Sequence, residues 1–179
     1  MSDDGLERLW TPHRMAYVRS AVDDEGCPFC AIPSHPDPES LVVARGVSAY
    51  VVLNLHPYNP GHLMVLPYRH VADLTDLTAE EAAELMAMTQ QALQALRRVS
   101  SPHSFNVGLN LGRSAGGSLA DHLHQHVVPR WTGDANFITV VGGVKILPQL
   151  LEETRDLLAA AWPQTENEAE TEIEDQAIG

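Results

Sequence analysis

Apolar residues fall in two rhythms along this chain, and each predicts a different kind of element. Leu41-Val-Val43 and Ala49-Tyr-Val-Val-Leu53 are short runs rich in β-branched side chains and read as two strands of a hairpin. His62-Leu-Met-Val-Leu66 is a third such run, entered from a turn at Pro57, Pro60 and Gly61 and stopped by Pro67. Leu85, Met88, Ala92, Leu93, Leu96 and Val99 then recur at helical spacing, which predicts a helix over 78–99 whose apolar stripe serves the core. Thr78-Ala-Glu-Glu81 supplies its capping box and Pro102 closes it. Ser104 to Leu111 and Asp121 to Val128 read as a fourth and a fifth strand, and Pro148 sits as the first turn of a helix running to about Trp162. The sum is an α+β domain: an antiparallel sheet of about five strands, strand 121–128 central, one long helix across a face and a second helix at the carboxy-terminal side.

The flanks predict a different organisation. Residues 1–24 carry Trp10, Met15 and Tyr17, too apolar for a free tail, and read as an arm packed on the body or on a second subunit. Residues 164–179 hold six acids (Glu166, Glu168, Glu170, Glu172, Glu174, Asp175) and no Lys or Arg, and read as a disordered acidic tail. The domain proper spans 25–163. Net charge is −13 over 179 residues, which argues against a sequence-independent grip on nucleic acid. No long apolar run and no basic-then-apolar leader is present, so the expectation is a cytoplasmic protein without a membrane span.

The candidate chemistry lies in Asp121-His-Leu-His-Gln-His-Val-Val-Pro-Arg-Trp131, where His122, His124 and His126 alternate. On a strand that spacing lines one face with three imidazoles, Leu123 and Val127 pointing the other way. Such a row can chelate a metal with help from elsewhere, or it can present a nucleophile whose neighbours orient it and protonate a leaving group. The glycine-rich run Gly112-Arg-Ser-Ala-Gly-Gly-Ser118 before it suits phosphate. The two cysteines, Cys27 and Cys30, form Cys-Pro-Phe-Cys and fit half of a zinc site better than a disulfide or a redox pair.

These blocks resemble the histidine triad (HIT) family of nucleotide hydrolases and transferases. His122-Leu-His-Gln-His-Val-Val128 is similar to its triad motif, Asn54-Leu-His-Pro-Tyr-Asn-Pro-Gly-His-Leu-Met-Val-Leu-Pro67 to its upstream block, and Cys27-Pro-Phe-Cys30 to the knuckle of its zinc-bearing branches. Gln125 departs from the pattern, standing where the family prefers an apolar residue; it faces away from the site, so packing is what it puts in question. Within the family the chain is most similar to the actinobacterial diadenosine tetraphosphate phosphorylases, through Leu9-Trp-Thr-Pro-His-Arg-Met15, Ala115-Gly-Gly-Ser-Leu119 and Gly133-Asp-Ala-Asn-Phe-Ile138.

The resemblance implies a HIT-like fold and a set of roles. His124 is the nucleophile that forms a nucleotidyl-histidine, and His126 donates to phosphate or to the leaving group. Asn110, Gly117 and Ser118 hold the substrate phosphate, with loop capping the competing reading for Asn110 and Ser118. Asn54 holds the ribose, Phe29, Ile32, Val52 and Leu55 form the base pocket, and Trp131 joins them by stacking on a second adenine, though each is also a natural packing residue. Arg113, Arg130 and Lys145 are candidate contacts to the outer phosphates, against a solvated-charge reading. His62 buttresses the catalytic strand, while His13, His35, His56 and His103 are surface or packing residues. Cys27, Cys30, His70 and His122 make a closed structural zinc set, so His122 is claimed by both the triad and the metal, and no cofactor is required for the chemistry.

The implied reaction is phosphorolysis of diadenosine tetraphosphate to ATP and ADP, with diadenosine polyphosphate, inorganic phosphate, ATP and ADP as ligands and a homodimer or higher homo-oligomer as the assembly. A dinucleoside polyphosphate hydrolase or a nucleoside phosphoramidase is the alternative within the family, and a non-catalytic adenine-nucleotide sensor the alternative of another class.

Overall fold

The computed structural model describes residues 26–115, 119–134, 141 and 147–163. The predicted arm (1–24) and acidic tail (164–179) lie outside the described residues, as do Gly117, Ser118 and Lys145. Two short helices, α1 (Pro28–Ala31) and α2 (Asp37–Ser40), lead into β1 (Val42–Arg45), β2 (Ala49–Leu53) and β3 (Leu63–Pro67). The long helix α3 (Ala79–Ser100) follows, then β4 (Ser104–Leu109), β5 (Gln125–Arg130) and α4 (Leu151–Ala160). The five strands form one sheet in the order β1-β2-β3-β5-β4, every pairing antiparallel.

Both α3 caps agree with the sequence. The Thr78 hydroxyl accepts from Glu81 N–H while the Glu81 carboxylate accepts from Thr78 N–H, satisfying two of the helix's unpaired donors. At the other end Ser101 turns left-handed, with φ of 46°, immediately before Pro102. Leu85, Met88, Ala92, Ala95 and Leu96 are buried on the inner side of α3, against β2, β3 and β5. β2 and β3 are buried at every position, because a second layer covers their other face. There the Tyr50 hydroxyl donates to the Phe29 carbonyl at 2.7 Å and so pins α1 onto the sheet. α4 packs on β1 and α3 through the fully buried Leu158, and Arg155 donates to the Val42 carbonyl. Among the described residues no helix is long and apolar enough to cross a membrane.

The last helix starts at Leu151, three residues after Pro148, and two expectations about the histidine strand also differ. The histidine strand is interior but not central, since β3 occupies the middle of the sheet and β5 lies between β3 and the edge strand β4. The ladder also begins at Gln125 rather than at Asp121. Its partner β4 ends at Leu109, opposite Gln125, so residues 121–124 have no β4 neighbour to pair with. They run past β3 instead, where Leu123 N–H donates to the Val71 carbonyl.

Gln125 itself is buried, and its amide donates to Thr89 Oγ1 at 2.7 Å. That hydroxyl donates in turn to the Leu85 carbonyl at 2.7 Å. The unusual polar residue is therefore matched by a threonine on α3, and the packing question is answered by a hydrogen bond.

Candidate active site

The turn before β3 prepares the first part of the site. Gly61 has φ of 75°, and a Cβ there would lie 3.0 Å from Leu96 Cδ2, so the chain can reverse only with glycine at this point. The turn delivers His62, wholly buried, to the start of β3. Tyr58 N–H donates to His62 Nδ1 at 3.0 Å, which leaves the His62 proton on Nε2. His62 Nε2 meets His126 Nδ1 at 3.0 Å and donates to it. His126 Nδ1 is thereby an acceptor, and the proton of His126 sits on Nε2, facing the Asn110 amide at 3.3 Å. The Asn110 oxygen accepts it when the amide is turned that way. One backbone N–H thus sets the tautomer of two rings in succession.

His124 is set from the other direction. Its Nδ1–H donates to the His122 carbonyl at 2.8 Å, so Nε2 keeps its lone pair. Burial holds the ring's pKa below the ordinary imidazole value, only partly opposed by the bond to His122 O, and the ring is neutral at pH 7. Its centroid lies 4.9 Å from that of His126 and 5.1 Å from Phe29. A lone pair and an N–H donor therefore stand side by side, the pairing that nucleophilic displacement at phosphorus requires.

His122 faces away from that pair. Its Nδ1 lies 3.3 Å from Cys27 Sγ and 3.4 Å from Cys30 Sγ, and His70 Nδ1 lies 3.3 Å from Cys30 Sγ. All four ligand atoms fall within 4.8 Å of one another. Bond lengths of about 2.3 Å to sulfur and 2.0–2.1 Å to nitrogen put S···N at about 3.6 Å in a tetrahedron. The set fits such an ion. His122 Nε2–H donates to the Pro67 carbonyl at 2.9 Å, the outer bond that typically orients a ligating imidazole. Phe29, set between the two cysteines in sequence, lies edge-on to His122 at 5.7 Å.

The remaining predicted residues fall into several environments. Asn54 is half-buried behind His62, its amide 3.3 Å from His62 Nδ1 and its oxygen accepting from His56 N–H. Ile32 packs on the core margin, Val52 lies inside β2, and Leu55 is 64% exposed. Arg113 is exposed and reaches Asp121 at 3.3 Å. Arg130 is held by both oxygens of Asp134, at 2.7 and 2.9 Å, and by Asn106 Oδ1 at 2.8 Å. Trp131 donates to the Ser100 carbonyl and lines a small apolar cavity of about 200 Å³ with Gly61, Leu96, Val99 and Leu158, so it is not gathered with the other base-pocket candidates.

Beside His126 runs a larger groove of about 430 Å³, lined by Tyr58, Asn106, Gly108, Asn110, Val128 and Arg130 among others. Sequence reasoning found Asn110 there but missed Asn106 and Gly108, although alternation along the predicted fourth strand puts all three on one face. Tyr58, 4.6 Å from the His62 ring and 5.6 Å from that of His126, carries no comparable signal, because it comes from an irregular turn.

This geometry, a buried histidine with a free ring nitrogen beside a second histidine on an antiparallel sheet, has known counterparts. Residues 36–133 match the HIT domain family, and the chain belongs to it. The chain is 61% identical to the AP-4-A phosphorylase of Mycobacterium tuberculosis over 89% of its own length and 86% of the relative's. It is 37% identical to the asymmetrical bis(5'-nucleosyl)-tetraphosphatase of Schizosaccharomyces pombe over 53% of this chain and 52% of that one. Among solved structures, a zinc-bound histidine triad family protein from Mycobacterium smegmatis superposes with a TM-score of 0.62 at 32% identity, covering 76% of this chain and 92% of that one.

Proposed function

We propose that this chain cleaves diadenosine tetraphosphate with inorganic phosphate to give ATP and ADP. The observation that carries the reading is the fixed tautomer pair: His124 presents an unprotonated Nε2 beside the Nε2–H of His126. His124 Nε2 attacks the α-phosphorus and forms a P–N bond. The bond from that phosphorus to the bridging oxygen breaks, its electron pair leaving with ATP, and His126 donates to that oxygen. A phosphate oxygen then attacks the same phosphorus from the vacated side, the P–N bond breaks, and ADP departs. His124 is neutral at pH 7 and needs no general base for the first step. Asn110, with the glycine-rich run through Gly117 and Ser118, holds the anionic oxygens. Asn54 takes the ribose, and Phe29 and Ile32 flank the base. The identity with the mycobacterial phosphorylase favours phosphate over water as the acceptor.

The Cys27, Cys30, His70 and His122 set holds zinc in this reading. It is a closed structural site, since all four positions are filled by protein and none is left for water or substrate. Two thiolate ligands call for reducing surroundings, consistent with the cytoplasm. The assembly is a homo-oligomer, supported by β4 standing at the sheet edge with Val107 46% exposed among the described residues; light scattering measures it.

Product analysis with and without phosphate tests the main reading. Phosphate-dependent formation of ADP is the expected result. ATP plus AMP at a rate indifferent to phosphate makes the chain a hydrolase.

A further inference from the structure

The groove beside His126 has no role in the attack step, yet its position relative to the two catalytic rings is specific. Phe29, carried by α1, lies against the His124 ring at 5.1 Å. His126, its ring centroid 4.9 Å from that of His124, stands directly opposite Gly108 across the β5–β4 ladder. In the reading above His126 donates to the departing oxygen, and the groove it lines with Gly108 begins at that donor.

The lining suits a nucleotide rather than a bare ion. At the near end are the donors His126 and Asn110; the floor is Gly108 and Val128; one wall is Tyr58, 48% exposed. At the far end Asn106 gives its oxygen to Arg130, which leaves its amide N–H groups for a ligand. Arg130 is neutralised by Asp134, so that end is polar without net charge. Polyphosphate needs donors near the chemistry, whereas a nucleoside needs an aromatic face and uncharged polar groups farther off. A volume of about 430 Å³ is within the usual range for a small-ligand site.

Gly108 is an open point of the floor. Its φ lies outside the left-handed region, and a Cβ added there meets nothing within 4 Å. Neither backbone strain nor packing explains a glycine at this position. An unobstructed surface next to His126 does.

We propose that the groove floored by Gly108 is the seat of the distal nucleotide, the half of a dinucleoside polyphosphate that leaves as the nucleoside polyphosphate. The proposal rests on the nucleotidyl-transfer reading above. By reversibility it is also the seat from which ATP attacks the nucleotidyl-histidine in synthesis.

Gly108→Val tests it, because valine suits an edge strand and its side chain fills the groove. Two donors are compared: diadenosine tetraphosphate, and adenosine 5'-phosphoramidate, whose leaving group is too small to reach the groove. The ratio of kcat/KM for the long donor to that for the short one should fall about tenfold or more. Gly108→Ala should give an intermediate fall, and it carries the test if the valine variant does not fold. An unchanged ratio in a folded variant overturns the proposal. A binding arm separates this result from failure of the reaction itself. In a His124→Ala background, Gly108→Val should weaken diadenosine tetraphosphate about tenfold relative to AMP. If the wild type turns over neither donor but this selective loss appears, the catalytic reading fails and the groove assignment stands. Equal weakening of both ligands, or of neither, removes the groove assignment.

Discussion

His62 offers the most quantitative handle on the site. The ring has no exposed surface, and burial, reinforced by the neighbouring His126 and His124, pushes its pKa down to about 3. In the unfolded chain the same imidazole titrates near about 6.5. Between those values the unfolded state binds a proton that the folded state refuses. His62 therefore contributes its full stability above about pH 6.5 and loses it as pH falls towards about 3. Each pH unit in that window is worth about 1.36 kcal/mol, so lowering the pH from 7 to about 4.5 removes roughly 2.5 kcal/mol through this one residue. That is a large fraction of the roughly 5–15 kcal/mol that holds a typical domain folded. The assay is guanidinium unfolding of the wild type and of His62→Gln at the two pH values. Glutamine cannot titrate, while groups that do not interact with residue 62 are common to both proteins and cancel in the difference. The wild type should lose roughly 2.5 kcal/mol more than the variant between pH 7 and about pH 4.5. Parallel losses would refute the argument that a neutral, buried His62 sets the tautomer of His126.

Two further outcomes follow from contacts between distant parts of the chain. Thr89→Val should cost about 1–3 kcal/mol by stranding the buried Gln125 amide, whereas Thr89→Val with Gln125→Leu should recover most of it in chemical denaturation, giving a clear coupling energy. Protein prepared without chelator should carry about one zinc per chain, and Cys27→Ser should lower both the zinc content and the Tm; full-length protein free of zinc with an unchanged Tm in the variant would reject the site.

What was legible in the sequence was what local rules decide. The Thr78–Glu81 capping box and the apolar stripe of α3 depend on residues a few positions apart, and both are present as read. The turn at Gly61 is likewise local. The start of β5 was not legible, because it depends on where β4 ends, at Leu109, a partner distant in sequence. Gln125 looked anomalous for a similar reason: its answer, Thr89, lies 36 residues away on another element. The motif assigns Trp131 to stacking on an adenine, but Ser100 and the α3–α4 junction determine which cavity it faces. The period-two rule puts Asn106 and Gly108 on one face with Asn110, but neither residue type advertises chemistry.

His122 serves two neighbours with different atoms. Its imidazole belongs to the sulfur-rich cluster, while its carbonyl receives the His124 proton. A carbonyl comes with every amino acid, so mutation at position 122 cannot delete the acceptor; it can only move it. The side chain can therefore change without removing the acceptor that fixes the His124 tautomer. His124 enjoys no such insurance, because its contribution is a ring nitrogen that no main-chain atom duplicates. Two histidines separated by a single leucine thus differ in what a substitution removes, and the motif's symmetry in letters conceals that asymmetry.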